Sequence, residues 1–209
     1  MAALDRRPIK SRSLAVFQRL AAWLSRTFVT PNQISVASIG FAALGILGLL
    51  VVPGWPGLVL CALGIQLRLL CNLIDGLVAV EGGKRSPVGD LYNEVPDRIA
   101  DAALLVALGY ATGLDWLGWL AALLAVLTAY VRVLGGALGL SQDFRGPQAK
   151  SHRMAVMTGA CLIGAILTPW GWELHALTVA LIVITTGSTW TCGARLSAIS
   201  ALLHQQARE

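Results

Sequence analysis

Three aspartates in an apolar chain raise the first chemical question. Asp75 lies in "NLIDGLVAV", and Asp97 and Asp101 follow in "GDLYNEVPDRIAD". Gly89, Asn93, Asp97 and Asp101 recur every four residues, which places them on one face of a helix. Arg68, Asn72, Asp75 and Ala79 recur at three- and four-residue spacing on another. Gly76, beside Asp75, permits close approach by a neighbouring helix or a ligand. Two antiparallel helices joined by "EGGKRSPVG" can bring the two polar stripes together. Three chemistries suit such stripes: ion pairs of the acids with Arg68 and Arg98, a proton or ion relay, or hard oxygen ligation of a divalent cation that in turn recruits phosphates.

The surroundings of these acids are those of a bilayer protein. The 209 residues are 56% hydrophobic and 13% charged, where a soluble domain carries about 25% charged residues. Apolar runs fall at 33–52, 57–80, 94–113, 116–140, 151–168 and 174–194, and each can supply the ~20 residues of a spanning helix. The expected fold is an all-α integral membrane protein with six transmembrane helices. Before them, Leu14, Phe17, Leu20, Ala21 and Leu24 recur at helical spacing with Arg19 and Arg26 among them. That pattern predicts an amphipathic helix lying at the interface, or a solvated helix packed on the core. The predicted organisation is a cytoplasmic and interfacial segment over 1–29, a six-helix domain over 30–195 and a cytoplasmic tail over 196–209. No hydrophobic run with a small-residue cleavage site opens the sequence, so no signal peptide is expected.

Charge orients the chain. Arg6, Arg7, Lys10, Arg12, Arg19, Arg26, Lys84, Arg85, Arg145, Lys150, Arg153, Arg195 and Arg208 all fall on one side of this topology, and the loops at 53–56, 112–115 and 169–173 hold no Lys or Arg. By the positive-inside rule both termini and the acidic stripes lie on the cytoplasmic side of the inner membrane. Trp55, Trp116, Trp119, Trp170 and Trp172 gather at the opposite ends as an aromatic belt. The net charge of +5 is therefore a topological signal with some attraction to anionic lipid, and no nucleic-acid partner is expected. Cys61, Cys71, Cys161 and Cys192 form no C-x-x-C pair, which points to inert buried thiols.

The acidic segment resembles the signature of the CDP-alcohol phosphotransferases, D-x2-D-G-x2-A-R-x8-G-x3-D-x3-D. Asp75, Gly76, Ala79, Gly89 and Asp97 match in register with the eight-residue interval intact. Asn72 stands at the first Asp, Asn93 at the third and Val80 at the Arg. "TPNQIS" at 30–35 is similar to the family's T-P-N-x-[IL]-[ST] before its first helix. "AYVRVLGGALG" at 129–139 and "AKSHRM" at 149–154 resemble its fourth-helix and fifth-helix stretches.

The resemblance implies a homodimeric phospholipid-synthesis enzyme that takes a CDP-linked lipid and an acceptor alcohol, transfers the substituted phosphate and releases CMP. It implies a Mg or Mn site at Asn72, Asp75, Asn93, Asp97 and Asp101, with Asp97 as base, and Asp101 or a nearby acid standing in for the lost carboxylates. Gly76, Ala79 and Gly89 would leave room for the nucleotide, and Arg132, Lys150 and Arg153 would bind phosphate. A relative that binds CDP-lipid in a regulatory role, without turnover, is the alternative. The topology is checked by cysteine labelling: cysteines placed at Ser86 and at Gly113 should react from opposite sides of the membrane, and equal labelling from one side would overturn it.

Overall fold

The structure is a computed structural model that describes residues 15–84 and 86–208. Seven α-helices occur among these residues: α1 (Ala15–Ser25), α2 (Pro31–Leu50), α3 (Trp55–Glu81), α4 (Gly89–Thr112), α5 (Asp115–Ala137), α6 (Lys150–Leu167) and α7 (Glu173–Gln206). Leu14, the basic residues before it and Arg85 lie outside the described residues. The predicted all-α architecture is the observed one. Five helices, α2, α3, α5, α6 and α7, are long and apolar enough to cross a membrane. The sixth predicted crossing is the 24-residue α4, whose first half carries Asp90, Glu94, Asp97, Arg98 and Asp101. One expectation changes: α7 does not end near 194 but continues to Gln206, so most of the predicted tail is helical.

The chain divides within α4 into two compact units, one ending at Leu104 and the other starting at Leu105. In the first, α2 starts at a capping box. Thr30 Oγ1 accepts from Gln33 N at 3.3 Å, and Gln33 Oε1 accepts from Thr30 N at 3.0 Å. Pro31 follows at the first helical position, where its missing N–H costs nothing. The T-P-N-Q segment is thus a helix start written in sequence. α2 and α3 then approach closely enough that a Cβ on Gly64 would lie 2.6 Å from Gly45 N and 2.7 Å from Phe41 O. In hydrocarbon, where lipid is as apolar as leucine, such small-residue contacts hold helices together.

Helix α1 has 11 residues, well short of the ~20 a crossing needs. Ala21 packs with Ile34 of α2 and with Ile74, Leu77 and Val78 of α3, and Phe17, Leu20 and Leu24 flank that cluster. Val16 and Trp23 of α1 and Phe28 after it stay exposed. The Lys84 ammonium donates to the carbonyls of Thr27 (2.6 Å) and Val29 (3.1 Å), which ties the loop before α4 to the α1–α2 connection.

In the second unit the end of α4 meets α5 through glycines: a Cβ on Gly109 would lie 2.7 Å from Gly118 Cα. Its core includes Leu108, Leu117, Met154, Met157, Leu181 and Ile184. Cys61, Cys161 and Cys192 are buried as expected, whereas Cys71 is only half-buried.

Gly64→Ala should lower the thermal midpoint of the detergent-purified protein, because overpacking against backbone costs about 1–3 kcal/mol. Gly40→Ala, where a Cβ meets nothing within 4 Å, should leave the midpoint unchanged or raise it slightly.

Candidate active site

The acidic site is built from three helices. Asn72 and Asp75 lie near the C-terminal end of α3, Asp97 and Asp101 in the first half of α4, and Ser35 in the first turns of α2. Asp75, Asp97 and Asp101 are all buried. Such burial is costly unless each charge is paired or hydrogen-bonded, and each of them is. Arg68, on the same stripe as Asn72 and fully buried, places one terminal nitrogen 3.1 Å from Asp97 Oδ1 and the other 2.7 Å from Asp101 Oδ1. Its guanidinium also donates to the Asp97 carbonyl at 3.2 Å. Asn72 donates to Asp97 Oδ1 at 2.5 Å. The half-buried Arg98 sits 3.8 Å from Asp97 Oδ2 and 3.3 Å from Glu94.

Asp75 is held from another direction. Ser35 Oγ lies 2.5 Å from Asp75 Oδ2 and is equally buried. Ser35 is the last residue of TPNQIS, so that segment both starts α2 and holds an acid of the signature.

The stripes on α3 and α4 therefore meet as the spacing predicts, through Asn72 and Asp97. The ion-pair reading of the acids is realised in Arg68 for Asp97 and Asp101. The other residues of the expected site are less engaged. Asn93 is half-buried and makes no side-chain hydrogen bond among the described residues, Gly76 and Ala79 are half-buried, and a Cβ on Gly89 would meet nothing within 4 Å. The last point agrees with room being kept there.

The donors suit a hard cation in a limited way. Carboxylate and carboxamide oxygens are its natural ligands. Among the described residues, however, no three of His, Cys, Asp and Glu gather as a metal-holding group. The site can offer one or two carboxylates, with phosphate and water completing the shell, which is how Mg²⁺ is usually bound.

A second polar cluster lies in the other unit. Arg153 on α6 is buried and donates to Thr128 Oγ1 (3.2 Å) and to the Gln148 carbonyl (2.6 Å). Arg195 on α7, also buried, donates to the Thr128 carbonyl (2.6 Å) and the Arg145 carbonyl (2.9 Å). Thr128 of α5 thus gathers two buried guanidiniums. Arg132 and Asp143 act electrostatically on Arg195 as well. The Asp143 carboxylate is ion-paired with Arg145 at 2.6 Å, and Arg132 lies over the Phe144 ring, 5.5 Å from its centroid. Lys150 is half-buried at the start of α6.

Gln148 is clamped through its backbone, its N–H donating to Thr191 Oγ1 at 3.1 Å, while its side-chain Oε1 is buried without a hydrogen-bond partner. Positive charge exceeds negative here, an arrangement suited to an anion. The sequence reading names Arg132, Lys150 and Arg153 but misses Arg195 and Gln148. Arg195 reads there as one more positive-inside residue at a helix end, and nothing local to "GARLS" sets it apart.

No family model matches the chain. It is similar to the phosphatidylinositol phosphate synthase of Corynebacterium glutamicum, 30% identical over 194 residues that cover 87% of this chain and 82% of that one. It is also similar to the archaetidylinositol phosphate synthase of Aeropyrum pernix, 29% identical over 167 residues, 79% of this chain and 84% of that one. Among solved structures, that of Mycobacterium tuberculosis phosphatidylinositol phosphate synthase with CDP-DAG bound superposes with a TM-score of 0.73 at 21% identity, covering 89% of this chain and 94% of that one. The same M. tuberculosis protein in complex with manganese and citrate gives a TM-score of 0.72, with 88% of each chain covered.

Asp101→Asn should destabilise the protein by about 3–5 kcal/mol, because it leaves part of the charge on Arg68 buried and uncompensated. Glu94→Gln removes the ion pair to Arg98, in which the Glu94 side chain is 45% exposed, and should cost less than about 1 kcal/mol. Thermal unfolding in one detergent compares the two, and equal losses would mean that Arg68 does not depend on Asp101.

Proposed function

The chain belongs to the CDP-alcohol phosphotransferase family, and on that premise we propose that it transfers a phosphatidyl-type group from a CDP-linked lipid to the hydroxyl of a phosphate-bearing alcohol, releasing CMP. The observation that carries this reading is the pair of buried carboxylates, Asp75 and Asp97. They stand in register with the family's signature, on two helices joined by the Asn72–Asp97 hydrogen bond.

Each residue then has a task. Asp75, steadied by Ser35, and Asp97, with Asn72 beside it, would hold a Mg²⁺ or Mn²⁺ ion. When bound, that ion neutralises the pyrophosphate and eases departure of CMP. Asp97 takes the proton of the attacking hydroxyl; Arg68 and Asn72 fix how its carboxylate is turned. The open space at Gly89, with Gly76 and Ala79, accommodates the nucleotide. Manganese and CDP-DAG in the M. tuberculosis structures support this choice of cofactor and donor.

The acceptor is read from the basic cluster. Arg153 and Arg195, gathered at Thr128, together with Arg132 and Lys150, favour an acceptor that carries a phosphate, and the similarity to inositol phosphate synthases supports the same class. Gln148 Oε1 offers a buried acceptor to one of its hydroxyls. The α4 helix makes the sixth crossing, α1 lies at the interface with Trp23 and Phe28 toward lipid, and both termini and the acidic site are cytoplasmic. These placements rest on hydropathy and the Lys/Arg distribution. Assembly as a homodimer rests on the resemblance.

Purified protein given CDP-diacylglycerol and Mg²⁺ or Mn²⁺ should release CMP with inositol phosphate or glycerol phosphate, and much less with serine or free inositol. Asp97→Asn should abolish release, compared with wild type at a temperature where gel filtration shows the variant still folded. Arg195→Gln should raise the KM for the phosphate-bearing acceptor about ten- to a hundredfold, the worth of one charge-assisted contact of 1.5–3 kcal/mol. Binding of CDP-diacylglycerol without CMP release for any acceptor would leave the regulatory binding reading in its place.

A further inference from the structure

The basic cluster brings an anion of its own. Arg195 is buried, with Nη1 donating to the Thr128 carbonyl at 2.6 Å and Nε to the Arg145 carbonyl at 2.9 Å. Asp143 lies in the loop that supplies the second of these carbonyls, between α5 and α6. Its Oδ1 accepts from the Arg145 N–H at 2.9 Å, and its Oδ2 pairs with Arg145 Nε at 2.6 Å. The carboxylate is thus fastened to the residue whose carbonyl holds Arg195. Among the described residues, Asp143 is the carboxylate that favours the charge on Arg195, while Arg132 and Arg153 oppose it.

We propose that Asp143 is the resident counter-ion of this cluster and that the phosphate of the acceptor takes its place at Arg195. The burial of the partners favours exchange over a permanent pair. Asp143 is fastened by an Arg145 side chain that is 59% exposed, and its own side chain is 17% exposed. A pair so open to solvent contributes little and costs little to break. The buried Arg195, by contrast, needs a counter-charge close by. A phosphate monoester brings more charge and more acceptor oxygens than one carboxylate. The inference rests on the reading of this cluster as the acceptor's phosphate site. It makes Asp143 a residue that sets acceptor affinity by competing for Arg195, and not a contact of the bound substrate.

Asp143→Asn is the test, because the amide keeps Oδ1 for the Arg145 N–H and removes the charge. Full-length protein in detergent, without metal or donor, is titrated with inorganic phosphate by calorimetry and by thermal unfolding. The variant should bind phosphate about three- to tenfold more tightly than wild type. Without phosphate its thermal midpoint should lie below that of wild type. The gap should close at saturating phosphate, where neither protein uses residue 143 as counter-ion. Unchanged or weaker binding would overturn the proposal. So would a gap that persists at saturation, or a variant that stays unfolded there, since Asp143 would then be a structural partner only. Arg195→Gln should remove the phosphate binding, and binding that persists would place the anion elsewhere and defeat the proposal. CMP release with a phosphate-bearing acceptor, measured on the same wild-type and Asp143→Asn samples, separates this inference from the transferase reading. Turnover with phosphate affinity unmoved by Asp143→Asn keeps the enzyme and defeats the inference, while tighter phosphate binding without turnover does the reverse.

Discussion

The ion pairing of Arg68 with Asp97 and Asp101 is the constraint around which the acidic half of the protein is organised. A lone charge in such surroundings costs several kcal/mol, so these three side chains can be buried only together. Their meeting requires α3 and α4 to bring their polar stripes into register. The turn between those helices, held by Lys84 to the carbonyls of Thr27 and Val29, is consequently tied to the start of α2. From α2 comes Ser35, whose hydroxyl is the partner of Asp75. Helix capping, loop anchoring and acid placement are therefore one connected set of bonds.

The same logic runs with opposite sign in the second unit. Arg153 and Arg195 are buried at Thr128, where they donate to the Thr128 hydroxyl and carbonyl and to the Gln148 and Arg145 carbonyls. Carbonyls and a hydroxyl accept from several of their N–H donors without neutralising the positive charge. A cluster with more guanidiniums than carboxylates keeps an affinity for an anion. One cluster is thus organised to hold negative charge and the other positive.

Departures from the family's pattern gain a physical meaning in the structure. Asn72 is not simply a weakened ligand: its amide is a donor to Asp97, a bond that an aspartate at 72 could not make in its ionised form. The Asn93 side chain, by contrast, makes no hydrogen bond among the described residues. The two substitutions, alike in chemistry, do different things because one faces Arg68's partner and the other does not.

Much was legible in the sequence because the bilayer forces it to be. Backbone groups in hydrocarbon must bond within their own helix, so six apolar runs become helices, and the T-P-N-Q segment marks a start because its capping bonds are local. Four-residue spacing likewise put Asp97 and Asp101 on one face, and three-residue spacing put Asn72 and Asp75 on another. Local rules were silent wherever the partner lies on a different helix. Nothing in "QISVAS" says that Ser35 will reach Asp75, and nothing near Arg195 separates it from basic residues that merely anchor a helix end. The hydropathy drop after 194 hid the continuation of α7 to Gln206, because a helix can extend into water without staying apolar. Periodicity alone allowed Arg68 to be an ion-pair partner, a relay neighbour or a bystander. The choice fell to tertiary structure, since the energy of a buried charge depends on distances between helices that spacing along one helix does not contain.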